Sequence, residues 1–407
     1  ALQPNGTLWA WGDNAYGQLG DGTTTGRTKG VAIGSGYKAI AAYYHSVALK
    51  SDDSLWTWGY NSNGQLGDGT SVNSNSPKQI GTGYKAIAAG GYHTLAIKLD
   101  GSLWAWGDNS WGQLGIGTYT DSSIPKQVGT ATNWVAVAAG THFSVALDAS
   151  GGLWSWGYNS EGQLGNGTTA YRSSPLKFAT GASAVEAGSR HTAARDAGGW
   201  LYTWGDNYYG QLGDGDTADR STFYQLGSGY TAASLGGDHT LGLKLDNSLW
   251  AWGYNGSGRL GIGTTVDSHI PVRIGAATDW VAISAATQSL ALKSDGSVWA
   301  WGYNYYGQIG DGSTLSRTIP TQVLEAGGTD LNLLTATASY TLNITVVGGG
   351  AVSSTPAGID CGSSCSAVFA SGTTVTLNAV PAAGYRLYGW SGGGCAGTGS
   401  CTVTMDQ

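Results

Sequence analysis

The segment Trp9-Ala10-Trp11-Gly12-Asp13-Asn14-Ala15-Tyr16-Gly17-Gln18-Leu19-Gly20 decides the fold, because it returns at residues 56–67, 104–115, 154–165, 202–213, 250–261 and 299–310. The second Trp of each copy falls at 11, 58, 106, 156, 204, 252 and 301, a period of 47 to 50 residues. Self-similarity at such a period marks a solenoid or a propeller. A second element lies between copies, as in Tyr84-Lys85-Ala86-Ile87-Ala88-Ala89-Gly90 followed by His93-Thr94-Leu95-Ala96-Ile97. Each is an apolar run, a Gly turn and a second apolar run, with the two-residue alternation of strands. Asp100-Gly101-Ser102 and Asp295-Gly296-Ser297 supply hairpin turns just before the Trp motif. Four strands per repeat and seven repeats predict an all-β fold, a seven-bladed β-propeller. No segment reads as a long amphipathic helix.

Thirteen of the 18 tryptophans occupy motif positions, with Tyr202 as the substitute. Trp-x-Trp puts both indoles on one face of a strand. Large aromatics bury much area, so these rings are expected to glue blade to blade. The glycines of Gly-Gln-Leu-Gly read as sites of positive φ and close approach.

The residues Trp-Gly-x-Asn-x-x-Gly-Gln-Leu-Gly and Gly-x-x-His-Ser/Thr-x-Ala-Leu resemble the regulator-of-chromosome-condensation repeat family over residues 1–338. The resemblance implies a seven-bladed propeller that works by binding. The family's eukaryotic founder is a nucleotide-exchange factor that also docks on chromatin. The insertions and basic tail those roles need have no match here. Similar propellers occur in secreted bacterial proteins, including, by a looser likeness, an inhibitor that caps an enzyme.

Composition narrows the function classes. Charged residues are only 11% of the 407, and the net charge is −7. Nucleic-acid binding needs a basic face, and no Lys/Arg cluster is present, so no nucleic-acid partner is expected. No run of about 20 apolar residues exists, so no membrane span is expected.

The first repeat lacks its leading strands, and residues 329–338 align loosely with 278–286. This stretch is expected to pair with the N-terminal strand and close the ring. Composition changes after Ser339, giving two expected domains, a propeller at 1–338 and a small β module at 339–407. In the second, Pro356-Ala357-Gly358-Ile359-Asp360-Cys361, Ser371-Gly372-Thr373-Thr374-Val375-Thr376-Leu377 and Gly389-Trp390-Ser391-Gly392 resemble internalin-type B repeats of bacterial surface and secreted proteins. Such modules usually continue with another strand, so the chain is expected to run on past Gln407. All four cysteines lie here. Four allow three pairings. The local pairs, Cys361 with Cys365 and Cys395 with Cys401, are expected as disulfide staples of a module with little core. Disulfides imply an oxidising compartment, hence an extracellular or cell-surface protein. A zinc site is the rival, although the spacings are wider than the usual two-residue gap.

Other chemistry is weighed and set aside. His45, His93, His142, His191 and His239 read as one position repeated in successive blades, which points to a recurring structural hydrogen bond. His269 reads as a lone loop residue. The strings at 256–261 and 389–393 match dinucleotide and nucleophile-elbow patterns but lack the strand-to-helix context. Asp214, Asp216 and Asp219 share a loop and suggest calcium, without the full pattern of ligands. No cofactor is implied, and no enzyme is expected.

The two residues between Asn and Gly-Gln-Leu-Gly vary from copy to copy. Six of the fourteen are aromatic: Tyr16, Trp111, Tyr208, Tyr209, Tyr305 and Tyr306. Variable loop tips on a repeated scaffold are where function usually sits, and exposed Tyr and Trp are enriched at interface hot spots. These six are the candidate partner-binding residues, with Tyr16, Tyr305 and Tyr306 expected to form one patch. The expected partner is a protein, or another copy in a self-associating assembly. An enzyme-capping inhibitor and a carbohydrate-binding module are the alternatives.

Overall fold

The computed structural model describes residues 1–334, 339–356, 358–361, 365–370, 373–392, 395–399 and 401–405. The chain divides into two compact units, Ala1–Leu334 and Thr335–Gln407. All regular elements among the described residues are strands.

The first unit is the seven-bladed propeller. Six blades are four-stranded antiparallel meanders, such as Tyr84–Ala89, His93–Lys98, Leu103–Gly107 and Ser122–Gln127. We number the blades two to seven in chain order. Blade one is composite, because its sheet holds only Leu8–Gly12 and Arg27–Gly34. Its hairpin matches the others: the Gln3 N–H donates to the Thr7 carbonyl, as the Lys50 N–H does to Ser54.

The Trp-x-Trp strand is third in each meander, and both of its rings face the preceding blade. Trp154 and Trp156 pack with Leu95, Ile97, Leu103 and Leu114. Trp299 and Trp301 pack with Leu241, Leu243 and Leu249. The second Trp is fully buried in blades three to seven and nearly so in blade two. In blades two, three, four, six and seven the first keeps an edge outward, where a lysine covers it, as Lys98 Nζ does 4.1 Å from the Trp104 ring centre. Such contacts contribute on the order of 0.5–1 kcal/mol when exposed.

The ring closes by repeating this contact between blades seven and one. Trp9 and Trp11 pack against Val298, Ala300, Ile309 and Val323, and Trp11 Nε1 donates to the Gln308 carbonyl at 3.0 Å. Blade one also departs usefully from the pattern. Most outer strands carry Pro where it has Gly30, and the Gly30 N–H donates to the Leu324 carbonyl at 2.8 Å. Proline has no such donor. The expected pairing of 329–338 with the N-terminal strand differs in detail. Leu331 and Leu333 hydrogen-bond to the Gly296–Val298 hairpin of blade seven, and Gln3 Nε2 donates to the Asn332 carbonyl at 3.2 Å. Leu331 is fully buried against Trp9, so burial rather than pairing holds this end. Residues 335–338 lie outside the described residues.

The second unit holds a three-stranded sheet of Gly350–Thr355, Thr374–Pro381 and Cys401–Thr404, with two further strand pairs. Val352, Phe369, Val375 and Leu377 form its small core. Disulfides join Cys361 to Cys365 and Cys395 to Cys401, with Cα separations of 4.4 and 5.4 Å.

Glycines at the blade joints test this packing. Gly67 has φ of +75°, and a Cβ there would lie 2.6 Å from Trp106 Nε1. Gly69 has φ of +81°, but a Cβ would meet only Ile124, at 3.8 Å. Gly69→Ala is therefore expected to cost about 1–2 kcal/mol from backbone strain alone. Gly67→Ala adds overpacking of about 1–3 kcal/mol. Urea unfolding of the two variants checks the order.

Candidate functional site

Each loop tip is held by its own backbone, which frees the variable side chains. The Asn of every Trp-Gly-x-Asn motif is fully buried. In blade three, Asn109 Nδ2 donates to the carbonyls of Thr118 and Thr120, and its Oδ1 accepts from the Leu114 N–H at 2.9 Å. The following Gln then fixes the tip. Gln113 Oε1 accepts from the Trp111 N–H, and Gln18, Gln211 and Gln308 do the same for Tyr16, Tyr209 and Tyr306, at 2.8–2.9 Å. The tip backbone is thus fixed without help from the tip rings.

The same Gln joins the blades. The Gln113 carbonyl accepts from Trp156 Nε1 and Ser144 Oγ of the next blade, both at 2.8 Å. Because that hydroxyl spends its proton there, it must accept from His93 Nε2, 2.9 Å away. His45, His191 and His239 repeat the arrangement with Thr94, Thr240 and Ser289. Each imidazole is therefore neutral and Nε2-protonated, with Nδ1 buried and unpartnered. The recurring hydrogen bond expected of the histidines is present, but His142 is not part of it. Phe143, not His142, pairs with Gly157, where His93 pairs with Gly107. His142 stands one residue earlier, at the rim. His269 is likewise no isolated loop residue: its carbonyl accepts from the Gly215 N–H at 2.9 Å, one of seven such bonds around the ring.

On the rim, rings from blade after blade touch. Tyr16 packs on Tyr60 at 4.7 Å, Tyr60 on Tyr92 at 6.2 Å, and Tyr92 stacks on His142 at 5.3 Å. Tyr158 follows at 6.4 Å from His142, with Trp111 against it at 5.0 Å. This track leads into a cavity of about 880 Å³ at the mouth of the ring. Trp111, Tyr208 and Tyr209 line it, beside Glu161, Arg190, Asp206 and Asp238. Tyr43 crosses the mouth, with its hydroxyl 2.7 Å from Ser189 Oγ and 3.1 Å from Thr141 Oγ1.

Three of the six candidate aromatics thus meet in one cavity. Tyr208 is the most open of these, at 71% exposure. Tyr16 belongs to the track. Tyr305 and Tyr306 pack on each other at 5.0 Å. No ring contact joins them to Tyr16 among the described residues, because Tyr16 turns toward the next blade and Tyr60 instead. The acids once weighed for calcium have other partners. Asp214 pairs with Arg220, Asp216 lies 3.1 Å from the same guanidinium, and Asp219 accepts from the Asn207 N–H. The rim residues Tyr44, Tyr92, His142, Arg190 and Asp238 were missed by the sequence reading, although they too vary between copies.

Fold and site together define a repeat propeller that carries an aromatic and acidic depression on its loop face. The chain belongs to the RCC1-like domain family, whose model matches residues 1–242, with further RCC1 repeat matches at 246–292 and 295–342. A divergent InlB B-repeat domain matches residues 340–407. The structure of yeast RCC1 (Prp20) with Kap60 is similar, at 21% identity over 80% of this chain and 85% of that one, with a TM-score of 0.73. So is Prp20p from Saccharomyces cerevisiae, a protein studied for binding to Gsp1p and histones, at 22% identity over 80% and 87%, TM-score 0.71. Human WBSCR16 gives 22% identity over 78% and 94%, TM-score 0.70. No curated protein matches the chain significantly.

The histidine latches carry a pH dependence. Burial pushes His45, His93, His191 and His239 from 6.5 down to about 3. The folded state then binds fewer protons than the unfolded one, so stability is full above pH 6.5 and falls as pH drops toward 3. The loss is about 1.4 kcal/mol per pH unit for each histidine. Melting temperature is expected to fall steadily from pH 6.5 to 4.5. His93→Gln, the residue type that stands at 288 in blade seven, should flatten the slope.

Proposed function

We propose that this chain is an extracellular protein-binding scaffold that captures its partner on the loop face of the propeller. The observation that carries the reading is the division of labour within each repeat. Asn, Gln and Gly hold the tip, while the rings of Tyr16, Trp111, Tyr208, Tyr209, Tyr305 and Tyr306 stand on it and take no part in those bonds. Rigid aromatic rings give large contact area at small entropic cost. The extracellular setting is supported by two disulfides and by the B-repeat match. Binding rather than catalysis is supported by the family, among whose similar structures is a protein studied for binding to Gsp1p and histones. No helix among the described residues is long and apolar enough to cross a membrane.

Light scattering across concentration separates the two kinds of partner. Growth of large species with concentration would make the partner another copy. A steady mass near 41.7 kDa would make it a different molecule. Trp111→Ala and Tyr306→Ala are each expected to weaken capture about tenfold or more, within the hot-spot range, with an unchanged melting temperature. Full capture by both variants, measured on immobilised protein, would contradict the reading.

A further inference from the structure

The strongest unexplained feature lies in the cavity wall, where one blade contact recurs with a carboxylate in place of an imidazole. Between blades three and four, Asp108 faces His142, with Nδ1 3.4 Å from Oδ2. Gln113 Nε2 adds a hydrogen bond to Oδ2 at 2.7 Å, and Ser110 donates to Oδ1. Desolvation opposes ionisation there, but the bonds from His142 and Ser110 outweigh it and hold Asp108 well below the usual carboxylate range. Between blades five and six, the equivalent residues are Asp206 and Asp238. A carboxylate faces a carboxylate.

No cation acts on Asp206 among the described residues, while Asp238 feels Arg259 and Arg190 through space. Asp206 is 7% exposed, and only its Oδ1 is engaged, by the Tyr208 N–H at 3.0 Å. Its other oxygen makes no hydrogen bond. Among the described residues the Asp238 carboxylate makes neither a hydrogen bond nor an ion pair. Desolvation raises both above the ordinary value; at Asp206 the charges of Asp219, Asp238 and Glu161 add to it, and at Asp238 the charges of Arg259 and Arg190 oppose it without overcoming it. The wall therefore holds four carboxylates, Glu161, Asp206, Asp219 and Asp238, against one guanidinium, Arg190. Arg190 is 4.0 Å from Glu161 and largely in solvent. Arg259 acts on Asp238 through space but makes no ion pair with it, its Nε being bonded to the Thr287 carbonyl and its guanidinium lying over Tyr254.

Desolvated carboxylates that share a wall gain from an added cation, which offsets their repulsion and their loss of water. A bare metal ion does not fit, since no group of three His, Cys, Asp or Glu among the described residues is placed to hold one. The rings beside the acids, Trp111, Tyr208 and Tyr209, suit a flat, weakly hydrated cation. At about 880 Å³ the cavity admits several residues of a chain. We propose that the depression seats an arginine side chain presented by the partner protein, with the guanidinium bound by Asp206 and Asp238 and stacked on the Tyr208–Tyr209 rings. This rests on the binding-face reading and names the chemistry that the face selects.

The test uses the full chain and two fluorescein-labelled peptides, Gly-Ser-Arg-Gly-Ser-Arg-Gly-Ser and the same peptide with citrulline for arginine. Citrulline keeps the shape and loses the charge. The arginine peptide is expected to bind at least about tenfold tighter, with affinity falling as salt rises. Asp206→Asn with Asp238→Asn should abolish the difference. It should also leave the melting temperature unchanged or higher, because it relieves a repulsion. Equal affinities for the two peptides, no binding up to about 1 mM, full discrimination by the double variant, or a lowered melting temperature in it would overturn the proposal. Loss of partner capture in Trp111→Ala together with equal peptide affinities would sink the arginine assignment alone and leave the binding face standing.

Discussion

The carbonyl of the residue before the last Leu-Gly or Ile-Gly of each motif is the point on which the ring depends. At six of the seven blade boundaries it accepts the indole N–H of the next blade, at 2.8–3.0 Å. At the boundary before Trp252 only the Thr240 hydroxyl reaches it. Buried indole nitrogens and carbonyls are stabilised by pairing, and Trp252 Nε1 is the motif's second indole left without a partner among the described residues. Satisfying both at once sets the distance and angle between neighbouring blades. The geometry then propagates around the ring until Trp11 meets Gln308 and the circle shuts. Glycine ends each motif because the next indole lies against it, 2.6 Å from a Cβ at Gly20, Gly67, Gly165 and Gly261.

Where Gln stands, its side chain holds the loop tip while its carbonyl holds the neighbour. Blade six shows that the two tasks are separable. Arg259 replaces Gln, and its carbonyl still accepts from Trp301 and Ser289. The tip at Gly256-Ser257 loses the side-chain lock, and there the tip carries no aromatic ring. Interior and rim are thus coupled at one residue, with the interior repeated and the rim free to vary. This lets a propeller change what it binds without changing how it folds.

Much of this was legible in the sequence. The period of the Trp motif gave seven blades, and Trp-x-Trp gave the face on which the blades meet. The disulfide partners followed from proximity along the chain. The tip aromatics were legible as variable positions, but their grouping was not, because it depends on which way each ring turns. Tyr16 turns to Tyr60, a residue of the next repeat. His142 was misplaced by one residue because Gly140-Thr141-His142 is one residue shorter than the Gly-x-x-His of repeats such as Gly188-Ser189-Arg190-His191, and the pairing of Phe143 with Gly157 is what sets the register. The acidic pair was hidden because Asp206 and Asp238 belong to different repeats and meet only when blades five and six pack. Tyr43 stands where the other blades have small residues, and its reach across the mouth to Ser189 spans 146 positions.

The central claim is that scaffold and binding surface are separate within one repeat. A single variant tests it: Tyr16→Asn, Trp111→Asn, Tyr208→Ser, Tyr209→Asn, Tyr305→Ser and Tyr306→Asn, which gives each of these tips the Ser or Asn found at Ser62-Asn63 of blade two. Thermal unfolding of this variant beside the parent chain is the decisive measurement. A melting temperature within about 4 °C of the parent, the shift expected for roughly 1–2 kcal/mol in a domain of this size, is the predicted result. A drop much larger than that would show that the tip rings hold the ring together, and would contradict the account.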